Sequence, residues 1–235
     1  MRKKDVLKLV AICVLCVCYA CASPKSQSEN SWSNFLRSVP DTNLSEIDST
    51  YLENLELSES SFRAISADTI KLFFEKFEYP HTESYDYQPV NDFLRIDSLK
   101  KAKVYEDYLQ TLDLGMLRSA EVLSLGKRSL SDQNIALFWA IRYSSYEACP
   151  FYHGIDVYLT ILDENDLRKT IKVGSNYSVV DPPMAVYLPV YSKVAVEHIE
   201  SSIESVELEL GESNEKVVAE TKETFVFDLK SLSYK

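Results

Sequence analysis

The sequence is poor in glycine and histidine, and each shortage excludes a class of function. Five glycines in 235 residues are too few for the glycine-rich loops that cradle phosphates in dinucleotide-binding folds. Three histidines leave little material for metal sites or for catalysis by a nucleophile and a base. We therefore expect neither a cofactor nor a metal ion in this protein.

Cysteine is almost absent outside the first residues of the chain. Four of the five cysteines lie at positions 13, 16, 18 and 21, which leaves Cys149 as the single cysteine of the body. If Cys21 is lipidated, no disulfide can form within the body, and packing must stabilise it. Cys149 and His153 lie on one predicted connecting loop, and this placement favours a structural thiol over a catalytic one.

The N-terminus has the pattern of an export signal. Four basic residues within the first eight positions precede an uncharged apolar segment, residues 9–22, which is too short to span a bilayer comfortably. The end of this segment, Ala20-Cys21, resembles a bacterial lipobox, in which the cysteine receives a diacylglycerol. The resemblance implies that Cys21 is lipidated and that the signal peptide, residues 1–21, is removed. Cleavage after Ala20 or Ala22 without lipid, and an uncleaved anchor, are the alternatives.

The body of the chain is strongly acidic. The full chain has a net charge of −11, and residues 1–21 hold four basic residues and one acidic residue, so their removal leaves −14. This charge disfavours nucleic acid and anionic membrane surfaces as partners. We therefore expect contact with the membrane through the lipid anchor, followed by a flexible polar tether at residues 22–43.

Hydrophobic spacing predicts an α+β fold within one domain, residues 44–235. Residues 44–116 form a short helical part, with helical periodicity at 44–57, 66–77 and 97–112. From 117 to 235 the period changes to two, which predicts an antiparallel β-meander of about six or seven strands, as a sandwich or a partly closed barrel. The candidate strands are residues 117–126, 134–143, 154–163, 167–173, 185–199, 203–210 and 216–229.

Two predicted loops carry aromatic side chains that suit a ligand. The first, residues 79–91, contains Tyr79, Tyr85 and Tyr87, and the second, residues 146–153, contains Tyr152. Exposed rings of this kind stack on sugars or peptides. The alternative is that the rings lie over the domain and complete its core.

Several short motifs resemble those of uncharacterised exported lipoproteins of the Bacteroidetes. The motifs are Ala20-Cys21, Leu112-Asp113-Leu114-Gly115, Ser145-Tyr146-Glu147-Ala148-Cys149-Pro150 with Tyr152 and Gly154, and Asp181-Pro182-Pro183. The resemblance implies an outer-membrane lipoprotein facing the periplasm or the cell surface, and it brings no activity with it. It also implies O-glycosylation at Asp followed by Ser or Thr, a pattern that Ser49 and Ser98 fit.

These features together predict a lipid-anchored protein of the cell envelope. The function we expect is that of a non-enzymatic binding or interaction module, whose partner is a glycan, a peptide or a protein. The alternative is a hydrolase acting on envelope or dietary polymers through carboxylates that the sequence does not single out. A structural or assembly subunit is a third reading, and it would show an exposed apolar patch.

Overall fold

The structure is a computed structural model that describes most of the chain from residue 35 onward. The described residues are 35–58, 63–80, 88–109, 117–131, 134–145, 151–163, 166–211 and 215–235. The chain divides into two compact units, residues 1–38 and residues 39–235, and the second contains the sheet.

The described part of the second unit contains four short helices. Asp48 and Ser66 cap the first two of them, because their side chains accept hydrogen bonds from the backbone N–H groups of Tyr51 and Thr69. The helices are α1 (Ser49–Leu57), α2 (Ala67–Phe74), α3 (Gln88–Ala102) and α4 (Tyr105–Leu109).

Seven long strands and three two-residue strands form one antiparallel sheet. Its order is β10-β9-β8-β7-β6-β5-β4-β3-β2, and β1 pairs with the C-terminal end of β7. Neighbours in the sheet are therefore neighbours in sequence from β2 to β10. The strands are β1 (Glu46–Ile47), β2 (Arg63–Ala64), β3 (Leu117–Ser129), β4 (Asn134–Ser145), β5 (Phe151–Asp163), β6 (Leu167–Asp181), β7 (Met184–Val194), β8 (His198–Leu210), β9 (Glu215–Asp228) and β10 (Ser233–Tyr234).

The α+β class with an antiparallel β-meander is confirmed, but the strand count exceeds the predicted six or seven. The additional strands are only two residues long, which is too short to show an alternating pattern. The strands form one sheet that does not close on itself, in place of the expected sandwich or partly closed barrel. Each long strand pairs with the next along the chain, so all seven belong to the same sheet.

Several predicted boundaries were wrong. The predicted helix 97–112 is divided between α3 and α4, and the predicted strands 167–173 and 203–210 extend to Asp181 and back to His198. Residues 44–57 were expected to be one helix, but β1 precedes the Asp48 cap, and only residues 49–57 are helical. Residues 88–91 of the predicted loop begin α3, because Pro89 fits a first helical turn and is buried there. The predicted strand 185–199 is interrupted after Val194 by a turn in which Ala195 N–H donates to the His198 carbonyl at 3.0 Å.

The main core lies between one side of the sheet and α1. Leu52 and Leu55 of α1 belong to one hydrophobic cluster with alternate side chains of β4, β5 and β6 and with Val194, Ile199 and Phe227 of β7, β8 and β9. Gly174 permits this close approach, since a Cβ atom there would lie 2.6 Å from Ile47 Cγ2 and 3.2 Å from Val157 Cβ.

Helix α2 packs against the opposite side of β4 and β5, where aromatic rings dominate. Phe73 of α2 lies 5.8 Å from Trp139, which stacks on Tyr158 with 4.4 Å between ring centroids. Every residue of β4 from 136 to 141 is fully buried. In the sheet β4 lies between β3 and β5, and the two layers that cover it explain why both of its faces are apolar.

Candidate functional site

Of the four tyrosines predicted to bind a ligand, two are buried and two lie outside the described residues. Tyr79 and Tyr152 are only 5% and 2% exposed, so their rings complete the core and present no face to solvent in this structure. Tyr152 O–H instead donates to Asp92 at 2.8 Å, which ties β5 to α3. Tyr85 and Tyr87 lie outside the described residues, as does the predicted lipidation site Cys21.

The two predicted O-glycosylation sites are both on the surface. Ser49 is the first residue of α1, and Ser98 lies within α3, and both residues are exposed. A glycosyltransferase must reach a serine hydroxyl from solvent, and the position of these residues satisfies that condition. Whether either is modified remains a prediction from the resemblance.

A cavity of about 550 Å³ opens at one end of the sheet. It lies where β3 and β5 begin and where β4 ends, beside the C-terminal half of α1. Phe151 and His153, which were predicted to belong to the 146–153 loop, lie in β5 and contribute to the wall. The lining residues are Glu56, Ser119, Glu121, Arg142, Tyr143, Ser144, Phe151 and His153.

The guanidinium group of Arg142 is held in one position by three hydrogen bonds. Its Nη1 donates to the carbonyl oxygens of Glu56 at 2.9 Å and Ser58 at 3.0 Å, and its Nη2 donates to Glu121 Oε2 at 2.7 Å. The carbonyls belong to the end of α1, where a positive charge complements the helix dipole. The ion pair with Glu121 is partly exposed and adds little stability. Its main effect is to present a fixed cation and a fixed carboxylate to the cavity.

Glu56 is oriented by the neighbouring strand β6. Asn176 Nδ2 donates to Glu56 Oε2 at 2.6 Å, while Asn176 Oδ1 accepts from the Ile155 N–H at 2.6 Å. The second bond fixes which end of the amide faces Glu56. Gly154 makes room for this contact, because it has a φ of +152° and a Cβ atom would lie 3.1 Å from Asn176 Oδ1. The cavity therefore has two positioned carboxylates, Glu56 and Glu121.

Ser178, His153 and Glu56 lie next to one another and are the residue types of a catalytic triad. Their geometry, however, does not fit one. Ser178 Oγ lies 3.1 Å from Nε2 and 3.4 Å from Nδ1 of His153, so it is aimed at neither lone pair. His153 Nδ1 lies 3.8 Å from Glu56 Oε1, which exceeds hydrogen-bond length. Ser178 is also 3% exposed and lies within β6. The group does not support nucleophilic catalysis.

A second polar cluster lies beneath the helices, with Asp156 at its centre. The Asp156 carboxylate accepts hydrogen bonds from Ser175 Oγ at 2.7 Å and from Tyr158 O–H at 3.2 Å, and it lies 3.4 Å from Lys172 Nζ. Asp156 and Lys172 are 1% and 3% exposed. Burial, together with the Asp156 charge, raises the pKa of Tyr143 well above its usual value. This cluster is enclosed, so we assign it to the fold and not to ligand binding.

Sequence reasoning missed Glu56, Glu121 and Arg142. One signal for Arg142 was present, because it is the single charged residue in the otherwise apolar strand predicted at residues 134–143. An arginine at such a position needs partners for its five N–H groups. Those partners come from α1 and β3, and no spacing rule connects segments so far apart.

No protein-family model matches this chain, and neither a curated protein nor a solved structure does. Among the described residues, no helix is both long and apolar enough to cross a membrane. The same residues contain no group of three or more His, Cys, Asp or Glu side chains arranged to hold a metal ion. The cavity is therefore interpreted from its own geometry.

Proposed function

We propose that the chain is an exported lipoprotein of the outer membrane, anchored through Cys21, that binds a glycan without catalysing a reaction. The observation that carries the binding role is the cavity at the end of the sheet, with its fixed Arg142 guanidinium, two positioned carboxylates and an aromatic wall. Location in the envelope, facing the periplasm or the cell surface, rests on the signal pattern of residues 1–21.

The side chains of the cavity suit a saccharide better than an apolar ligand. Each sugar hydroxyl both donates and accepts, so it fits between a carboxylate such as Glu121 and a cation such as Arg142. The ring of Phe151, which lies 5.2 Å from that of His153, offers an apolar face for the C–H groups of a sugar. A few fixed polar groups around an aromatic surface are typical of small-ligand sites.

The alternative of a hydrolase gains less support from the described residues. Glu121 is engaged with Arg142, Glu56 is engaged with Asn176, and Ser178 lacks the geometry of a nucleophile. A glycosidase instead needs one carboxyl group held protonated in an apolar surround and a second one free to act as a base or a nucleophile.

Saccharide binding at this cavity predicts a thermal shift that depends on Glu121 and Phe151. A ligand at a hundred times its Kd adds about 2.7 kcal/mol to the free energy of unfolding, which raises Tm by several degrees. A screen of cell-wall and dietary oligosaccharides is expected to yield such a shift. Glu121→Gln and Phe151→Ala are expected to weaken binding about tenfold or more. The control Glu207→Gln removes an exposed carboxylate outside the cavity and should bind normally. Equal affinity in all four proteins would contradict the proposal.

Lipidation at Cys21 predicts that Cys21→Ala abolishes incorporation of a labelled fatty acid and moves the protein from the membrane to the soluble fraction. The thiol is the group that receives the diacylglycerol, so alanine leaves no acceptor. Cys149→Ala is the matched control, because it removes a cysteine from the body and should leave both label and location unchanged. Label that persists in the Cys21→Ala protein would contradict the assignment.

A further inference from the structure

Strand β9 has an outer edge that is largely open. It pairs with β8 along its length, but β10 covers the other edge only at Phe227 and Asp228. Lys235 N–H donates to the Val226 carbonyl at 2.9 Å, next to this short pairing. Along residues 215–225, no strand of the described part pairs with the outer edge of β9. An open edge presents unpaired backbone groups to any extended chain that reaches it.

The open part of β9 and the part of β8 that pairs with it are the two outer strands of the sheet, which we name the ribbon, and β8 pairs on its other side with β7. All residues from 215 to 224 are exposed, and Val217 and Val218 are 55% and 53% accessible. A third strand would supply backbone hydrogen bonds and bury part of this surface.

The direction of the backbone groups can be worked out from the contact with the C-terminus. The Val226 carbonyl points outward, since it accepts from Lys235, and alternation along the strand directs the N–H and C=O groups of Thr224, Lys222 and Glu220 outward as well. The ladder with β8 is irregular at Val218, because Glu207 opposes Ala219 and Leu208 opposes Val217. The regular open stretch is therefore residues 219–225, which we name the β9 edge.

The charge of the ribbon selects one kind of partner. The described residues from 203 to 224 hold six carboxylates and two lysines, and one of the lysines, Lys222, is paired with Glu204. Within the described part, no ion pair is found for Glu220 or Glu223, which lie on the β9 edge itself. The six carboxylates are those of Glu204, Glu207, Glu209, Glu215, Glu220 and Glu223.

We propose that the β9 edge binds an extended peptide segment rich in lysine and arginine as an added strand. Backbone hydrogen bonds to residues 220, 222 and 224 would give the affinity, and the carboxylates of the ribbon would give the selectivity for basic segments. A second copy of the chain fits less well, because it would bring its own acidic ribbon against this one. The proposal concerns a surface outside the cavity and holds whether or not the cavity binds a glycan.

The test measures binding of short labelled peptides to the full chain by fluorescence anisotropy. The probe is a blocked peptide of alternating lysine and threonine, and its counterpart carries glutamate in place of lysine. The lysine peptide is expected to bind, more weakly as salt is raised, and the glutamate peptide is not. Binding of both peptides alike, or of neither, would overturn the proposal.

A proline at Glu220 separates strand addition from attraction between charges. Glu220→Pro removes an outward N–H without removing a bond to β8, whereas Glu220→Ala removes the charge alone. We expect Glu220→Pro to weaken binding of the lysine peptide about fivefold or more beyond the effect of Glu220→Ala. Equal loss in the two variants would show attraction without strand addition and would overturn the proposal.

A modified peptide also separates strand addition from attraction between charges, and it requires no change to the protein. N-methylation of alternate amides of the lysine peptide blocks its pairing edge and keeps its charge, so binding should fall about tenfold. Undiminished binding of the methylated peptide would overturn strand addition. Sedimentation of the chain alone is expected to show no dimer that Glu220→Pro dissociates. Such a dimer would assign the β9 edge to a second copy instead.

Discussion

Replacing Asp156 by leucine is expected to lower the free energy of unfolding by about 3–5 kcal/mol. The substitution leaves the Lys172 ammonium group buried without the carboxylate that lies 3.4 Å from it. It also takes away the acceptor of the hydrogen bonds from Ser175 and Tyr158. Removing one partner of a buried ion pair lowers the free energy of unfolding by more than the intact pair contributes to it. The remaining charge stays buried without a partner and without water. Urea unfolding followed by circular dichroism measures the loss.

The companion variant Lys172→Met is expected to cost less than Asp156→Leu. The Asp156 carboxylate keeps the hydroxyl donors of Ser175 and Tyr158 when the lysine is gone, so its charge stays partly compensated. The double variant should lose less free energy of unfolding than the two single variants lose together. The reason is that no buried charge is left uncompensated when both residues are replaced. Strictly additive losses would contradict the coupling that we assign to this pair.

The long strands could be predicted from the sequence, and the short ones could not. Strands such as β4 and β8 carry their burial pattern over a dozen residues, and a turn at Pro182-Pro183 separates β6 from β7. A two-residue strand has no period to detect. β1 forms because Ile47 is fully buried beside Gly174 and pairs with Ser192, a partner far away in the sequence. Only the assembled sheet creates that position.

The cavity was harder to predict than the fold for the same physical reason. Its walls come from α1, β3, β4 and β5, which approach one another only after the meander has formed. The sequence did show charged residues within strands that are otherwise apolar. Arg142 and Asp156 each interrupt an apolar strand, and a buried charge requires a partner. That rule predicts that partners exist, but it does not say which residues supply them.

Replacing Trp139 by alanine is expected to destabilise the fold by about 3–5 kcal/mol, the range for loss of a large buried aromatic side chain. Trp139 is fully buried in β4, stacks on Tyr158 and lies 5.8 Å from the ring of Phe73 of α2. Its removal leaves a cavity between the sheet and α2 that rigid aromatic neighbours cannot fill by collapse. The loss should appear in the midpoint of urea unfolding, followed by circular dichroism because the variant lacks the reporting indole.

The variant Trp139→Phe separates the packing of the ring from the hydrogen bond of the indole. Trp139 Nε1–H donates to Thr160 Oγ1 at 2.9 Å, and that oxygen also lies 3.0 Å from Thr170 Oγ1. Phenylalanine keeps most of the stacked surface, and the two threonines can still bond to each other, so we expect a loss of about 1–2 kcal/mol. A loss as large as that of Trp139→Ala would mean that the hydrogen bond between β4 and β5, and not the aromatic packing against α2, accounts for the contribution of Trp139 to stability.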